Sequence, residues 1–308
     1  MLGTFPAYLA YRKSFLASPY GALAIGTGAP SLFLRKYSAP YLSKRLSAKH
    51  RLLGLAHHVA FVNARFPQNS FELLQSGSIS LGPGNSPSCA YTFKLDLPFR
   101  GQLKGSSCWE GDLRLECVHR DEKLHSMTFS FLPSTIFDGQ NEPVLFIGGS
   151  QSSADRMLRR EAALMNQDIH PSTATLIALK GLAEVLGVRR ILAVKAKDQV
   201  TIHQRPGHHE VAYDDFWLAQ HGIDQGKYFE LPLAPSPDRA AAVAGSHGAR
   251  TRKRRMARMT LKQSLESQFR LLLADHESKF VGKNAVSDSL GAAHVLKFPT
   301  ILGGISGP

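Results

Sequence analysis

Transfer of a group from a leaving atom to a nucleophile needs a base to take the nucleophile's proton and an acid for the departing atom, with pKa values near the working pH. Glu110, at the entry to a strand, and Tyr213, after the final crossover strand, are the residues this chain offers for those roles. The plain alternatives are a surface carboxylate and a packed aromatic. Gly148-Gly149-Ser150-Gln151-Ser152-Ser153 adds a third ingredient. It has two residues free to adopt φ > 0, several hydroxyl donors and a helix start behind them, the composition of a cradle that holds a phosphate-like anion on backbone N–H groups. The alternative there is a turn that only redirects the chain. His203, His208, His209 and His221 lie near Asp214 and Asp215 but with no familiar ligand spacing, so no metal site is expected. Nothing matches a Walker loop, a nucleophile elbow or a dinucleotide fingerprint.

The elements that must position these residues are legible from hydrophobic period. His50 to Ala64 has a helical stripe of Leu52, Leu55, Ala56, Val59 and Val62, closed by Pro67; His57 and His58 inside it read as packed or surface histidines. Gly77 to Pro87 reads as a loop. The period then changes to two: Tyr91, Phe93, Leu95 and Leu97 alternate with polar residues, as do Leu113, Leu115 and Cys117, and then Met127, Phe129 and Phe131. The last two runs flank the polar turn His119 to Lys123 and predict an antiparallel hairpin. Val144 to Ile147 completes a meander of about four strands. Two helices follow, one N-capped near Ser153 and one from Pro171 to a stop at Gly187, and they lead to Arg190 to Val194. A right-handed crossover makes that strand parallel to Val144 to Ile147. A short helix from Tyr213 to His221, with Trp217 anchoring it in the core, and a strand from Tyr228 to Leu233 close the order. The fold class is α+β, a mixed sheet of antiparallel meander plus one parallel crossover strand.

Three segments follow from composition: a basic, acid-free lead-in over 1–48, an α/β domain over 49–237, and a basic low-complexity tail over 238–308 with one helix from about Met259 to Ala274. Lys+Arg 37 against Asp+Glu 24 gives a net charge of +13, and no acidic residue precedes Glu72. With the block Arg250 to Arg258, the basic termini suit an anionic membrane surface, and nucleic acid less well. Cys89, Cys108 and Cys117 include no C-x-x-C pair and read as free thiols in a reducing compartment. Phe15 to Leu34 is too broken by Pro and Gly to span a bilayer, which wants about 20 apolar residues. The expected location is the cytoplasm, extending to a peripheral position at the inner membrane.

From His57 to about Phe269 the chain resembles the VirK/YbjX family of Gram-negative bacteria, on Glu110-Gly-Asp-Leu113, Ser126-Met-Thr-Phe-Ser130, Phe146-Ile-Gly-Gly-Ser-Gln151, His170-Pro171, Glu184 to Val194, Tyr213-Asp-Asp-Phe-Trp217 and Phe229-Glu-Leu-Pro232. The resemblance implies a part in virulence, in outer-membrane or envelope remodelling and in resistance to antimicrobial peptides, without a settled biochemical activity. Two positions depart from the family pattern: Ser152 stands for a usual glycine and Ser172 for a usual basic residue. The order of elements is also similar to that of GNAT-type N-acyltransferases, which hold the coenzyme A pyrophosphate at the helix start after the equivalent strand. That likeness implies coenzyme A or an acyl-CoA as cofactor, held by Gly148 to Ser153, with Glu110 and Tyr213 at the chemistry. Gln151-Ser-Ser-Ala154 begins like the binding motif of those enzymes but lacks its glycines.

Overall fold

The structure, a computed structural model, describes residues 5–27, 35–82, 91–98, 106–140, 142–152, 155–201, 209–233 and 246–281. Eight strands, β1 (Ile79–Leu81), β2 (Thr92–Asp96), β3 (Leu113–His119), β4 (Glu122–Pro133), β5 (Pro143–Ser152), β6 (Arg190–Val194), β7 (Ile223–Asp224) and β8 (Tyr228–Leu231), form one sheet in the order β1-β2-β3-β4-β5-β6-β8-β7. Every neighbouring pair is antiparallel except β5 and β6, which run parallel from Val144↔Arg190 to Ile147↔Ala193. The molecule is therefore α+β with a mixed sheet. The β3–β4 hairpin turns on Arg120 and Asp121, both at positive φ, the geometry whose twist suits a two-residue connection.

The helices are α1 (Phe5–Leu16), α2 (Pro19–Gly26), α3 (Ala48–Arg65), α4 (Gln68–Ser76), α5 (Arg156–Met165), α6 (Pro171–Val185), α7 (His209–Ala219) and α8 (Ser246–Val281). In α6, Pro171 sits at the first helical position and Gly187, at φ 72°, ends the turn beyond it. Leu176, Leu179, Leu182 and Ala183 are buried against the sheet. One core joins all three sequence segments: Phe15 from α1, Leu179 from α6 and Phe269 from α8 belong to it.

The structure corrects several sequence-based expectations. Helix α3 ends before Pro67 as expected, but a further helix, α4, follows that proline directly, and strand β1 lies within the expected loop Gly77 to Pro87. The basic block Arg250 to Arg258 is helical, because α8 begins at Ser246 and is held by Leu261, Leu265 and Phe269, each 4% exposed or less. Gly181 of α6 lets this helix approach, with Glu266 against the place a Cβ would occupy. The N-cap of α5 is Asp155, whose side chain accepts from the Met157 N–H; Ser153 lies outside the described residues. Cys108 and Cys117 are buried and joined in no disulfide, and Cys89 is outside the described residues. No described helix is long and apolar enough to cross a membrane.

Candidate functional site

The largest departure from expectation is at Gly148 to Ser152. Instead of a turn, these residues continue β5 for five positions past its last pairing with β6, laddered to β4 from Thr128↔Gly149 to His125↔Ser152. An extended backbone points successive N–H groups to opposite sides, so it cannot form the concave cradle expected there. What the small residues provide is room. A Cβ on Gly149 would lie 2.1 Å from Glu110 Oε2 and 2.6 Å from Thr128 Oγ1, and one on Gly148 would lie 2.0 Å from the Glu110 carbonyl oxygen. The register slips at this point, where β5 carries one extra residue opposite Thr128 and Phe129. Two glycines and a bulge thus open the strand surface to a carboxylate.

Glu110 fills that opening at 1% exposure. Gln151 Nε2 donates to Oε2 at 2.9 Å, Thr128 Oγ1 donates to the same oxygen at 3.5 Å, and the Thr201 hydroxyl donates to Oε1. Burial pushes the carboxyl up to about 7, although the bonds from Thr201, Gln151 and Thr128 pull the other way. Tyr213 comes from the middle of α7, beside the buried Trp217. Burial and then the Glu110 charge raise its phenol well above the ordinary value, so the two residues share one electrostatic environment. The Tyr213 oxygen is shielded from solvent without a hydrogen bond of ordinary geometry, with Gln199 and Trp217 the other side chains that weigh on its ionisation. Four of the segments that carry the family resemblance therefore meet here, through Glu110, Thr128, Gly149 with Gln151, and Tyr213. Thr201, which follows β6, completes the cluster and carried no signal in the sequence.

Ser150 alternates to the other face of the sheet, where its hydroxyl lies 3.0 Å from His125 Nε2. Thr175 Oγ1 donates to the Pro171 carbonyl at 2.8 Å, so it accepts from His125 Nδ1 at 3.1 Å and leaves Nε2 to accept from Ser150. Burial and the Arg159 charge hold this imidazole down at about 3, neutral at any ordinary pH. It ties β4 and β5 to the first turn of α6. Ser152 is exposed at the strand end.

A second buried carboxylate, Asp112, sits two residues from Glu110 and does structural work. Lys36 Nζ is 2.6 Å from its Oδ1, and both side chains are 1% exposed or less. The Tyr41 hydroxyl and Ser130 Oγ, the latter at 2.8 Å, donate to Oδ2, and Tyr20 donates to the Asp112 carbonyl at 3.0 Å. Burial works to raise Asp112, but Lys36, His58 and the donors outweigh it and hold the carboxyl below its usual range. This network fastens the lead-in to the sheet. His57 and His58 pack on the backbone of Phe131, and burial holds His58 down at about 4. Among the described residues no three His, Cys, Asp or Glu gather as metal ligands; His203 and His208 lie outside them.

A family model described as "Protein of unknown function (DUF535)" matches residues 24–267. The chain belongs to that family, which is the VirK/YbjX family. Among solved structures it is similar to a mutant form of a cAMP-binding acyltransferase from Mycobacterium smegmatis, at 11% identity and a TM-score of 0.25, over 61% of this chain and 55% of that one. The chain thus spans about half the length of that structure, and so slight a likeness carries no argument about activity. No curated protein matches.

Proposed function

We propose that this DUF535 chain is an acyltransferase that moves an acyl group from a coenzyme A thioester to an amine-bearing acceptor, with Glu110 as base and Tyr213 as acid. The observation that supports this is the state of Glu110: a carboxylate with almost no solvent exposure, set by two glycines and a bulge, wrapped by donors and titrating near neutrality. Such a group accepts a proton readily at working pH. In the step, the amine nitrogen attacks the acyl carbon and gives its proton to Glu110, the C–S bond breaks, and the thiolate takes the Tyr213 proton. Solvent exchange then returns the Glu110 proton to Tyr213. Because Gly148 to Ser152 are laddered into the sheet, the backbone cradle expected for the thioester's phosphates is not formed by them. The chemistry needs only the acyl end near Glu110.

The test is a thermal melt with coenzyme A and a series of acyl forms, followed by thiol release in the presence of amines. Saturation at about 100 times Kd adds about 2.7 kcal/mol to folding stability, a readily measured shift. The expected result is a shift with at least one acyl form, with thiol release that Glu110→Gln abolishes while the shift persists. Absence of any shift across the acyl series sinks the proposal.

A further inference from the structure

On the Ser152 side of the sheet, α5 and the first turn of α6 enclose a cavity of about 510 Å³ together with Arg254 of α8. Its wall is cationic. Arg156, Arg159 and Arg160 line it and form no ion pair among the described residues, and the carboxylate in its lining, Asp168, is engaged by Arg254 at 2.8 Å. Arg156 lies three and four residues before Arg159 and Arg160, so the three share one helix face and repel one another there. Ser152, His170 and Ser172 supply polar atoms on the remaining sides. His170 is the N-cap of α6 and makes no side-chain capping bond, so the positive end of a 15-residue helix also faces this wall.

Burial, and after it the Arg159 charge, lower the buried His125 beside the cavity, and burial, Lys262 and Arg258 together hold Lys180, further along α6, down at about 8. Burial and then Arg254 lower Arg258. The carboxylates on this side, Glu184 and Glu266, are taken up by Lys262. The guanidinium fork suits the paired oxygens of a phosphate, and three such groups with one helix end exceed what a single chloride or carboxylate would use.

We propose that this arginine-lined cavity is a binding site for a phosphate-bearing ligand, with Arg156, Arg159 and Arg160 as its cationic wall and the Ser172 end of α6 as its floor. The site does not depend on acyl transfer at Glu110, which lies on the opposite face of β5: either could hold while the other fails. The phosphate could be carried by a soluble molecule or by a lipid headgroup, and the exposed Met157 and Leu164 of the same helix, 70% and 62% exposed, lie where a bilayer surface would meet them.

The experiment uses the full chain with two probes: inorganic pyrophosphate by calorimetry, and vesicles of phosphatidylcholine with about a third phosphatidylglycerol by co-sedimentation. Wild type should bind at least one of them, more weakly as salt is raised. The Arg159→Gln/Arg160→Gln double variant should weaken that binding at least tenfold, and Arg189→Gln, outside the cavity, should leave it unchanged. Ser172→Asp is a second variant that keeps the fold testable, because an acidic residue in the first turn favours the helix while repelling a phosphate. It should retain or raise the melting temperature and also weaken binding at least tenfold. Pyrophosphate binding without vesicle binding supports the site with a soluble ligand. Vesicle binding lost in both variants supports it with a lipid-borne phosphate. Binding of neither probe by wild type, or binding that survives both variants, overturns it.

Discussion

Replacing Glu110 with Gln should stabilise the protein at neutral pH, and the size of the effect follows from the buried carboxyl. Its pKa is about 7 in the folded state against 4.5 for an ordinary glutamate. A difference of roughly 2.5 units, at about 1.4 kcal/mol per unit, corresponds to about 3.5 kcal/mol. Between pH 4.5 and 7 the folded state holds the proton and the unfolded chain has released it, so the native state binds more protons. The contribution of Glu110 to stability therefore falls as pH rises through that window, and above 7 the ionised group costs the full amount. Glutamine has no such proton, so the stability of Glu110→Gln minus that of wild type should climb from near zero at pH 4.5 to a plateau above pH 7. The plateau is smaller than that full amount, because the glutamine oxygen takes the Oε2 place and accepts from Gln151 and Thr128, while its NH2 takes the Oε1 place, where the Thr201 hydroxyl must rotate to accept; about 1 to 3 kcal/mol is expected. Urea unfolding of both proteins from pH 4.5 to 8 measures the difference. His58 and His125, with folded pKa values of about 4 and about 3, push the other way. Their stabilisation is present above the unfolded value of 6.5 and is lost as pH falls toward 4, but it is common to both proteins and cancels. A difference that stays flat with pH, or a variant less stable than wild type at pH 8, refutes the reasoning. A residue that weakens the fold while its removal abolishes turnover is the signature of a group kept for chemistry.

Three further perturbations probe the scaffold. Gly149→Ala puts a methyl into the space of Glu110 Oε2 and should cost about 1 to 3 kcal/mol in urea unfolding; in a Glu110→Ala background the same change should cost clearly less, and additive effects would mean the two residues are not in contact. Lys36→Met leaves Asp112 buried without its cation and should cost about 3 to 5 kcal/mol, most of it recovered by Lys36→Met/Asp112→Leu, as chemical denaturation of the pair will show. Leu265→Ala should cost about 2 to 5 kcal/mol and increase proteolysis of α8, since that side chain is fully buried on the long C-terminal helix.

What the sequence exposes and what it hides divide along sequence distance. Period-two alternation at Tyr91 to Leu97, Leu113 to Cys117 and Met127 to Phe131, and the Pro171 and Gly187 punctuation of α6, are local signals, and each element is where they place it. Gly148 to Ser152 has turn composition and still forms a strand, because β4 is 12 residues long and offers a ladder that tertiary pairing fills regardless of propensity. Lys36 sits in a basic, acid-free stretch whose composition suits an anionic surface; its partner lies 76 residues away, beyond any window of periodicity. Arg250 to Arg258 reads as low complexity because its helix is secured by Leu261, Leu265 and Phe269 downstream. Glu110 and Asp112 make the point most sharply. They are two carboxylates two positions apart, alike in local sequence, yet Lys36 holds one ionised in a structural network, while the other meets only neutral donors and is pushed up to about 7. The difference between a structural and a chemical carboxylate is set here by whether a distant cation reaches it, so the lead-in that supplies Lys36 also determines which of the two is left free to move protons.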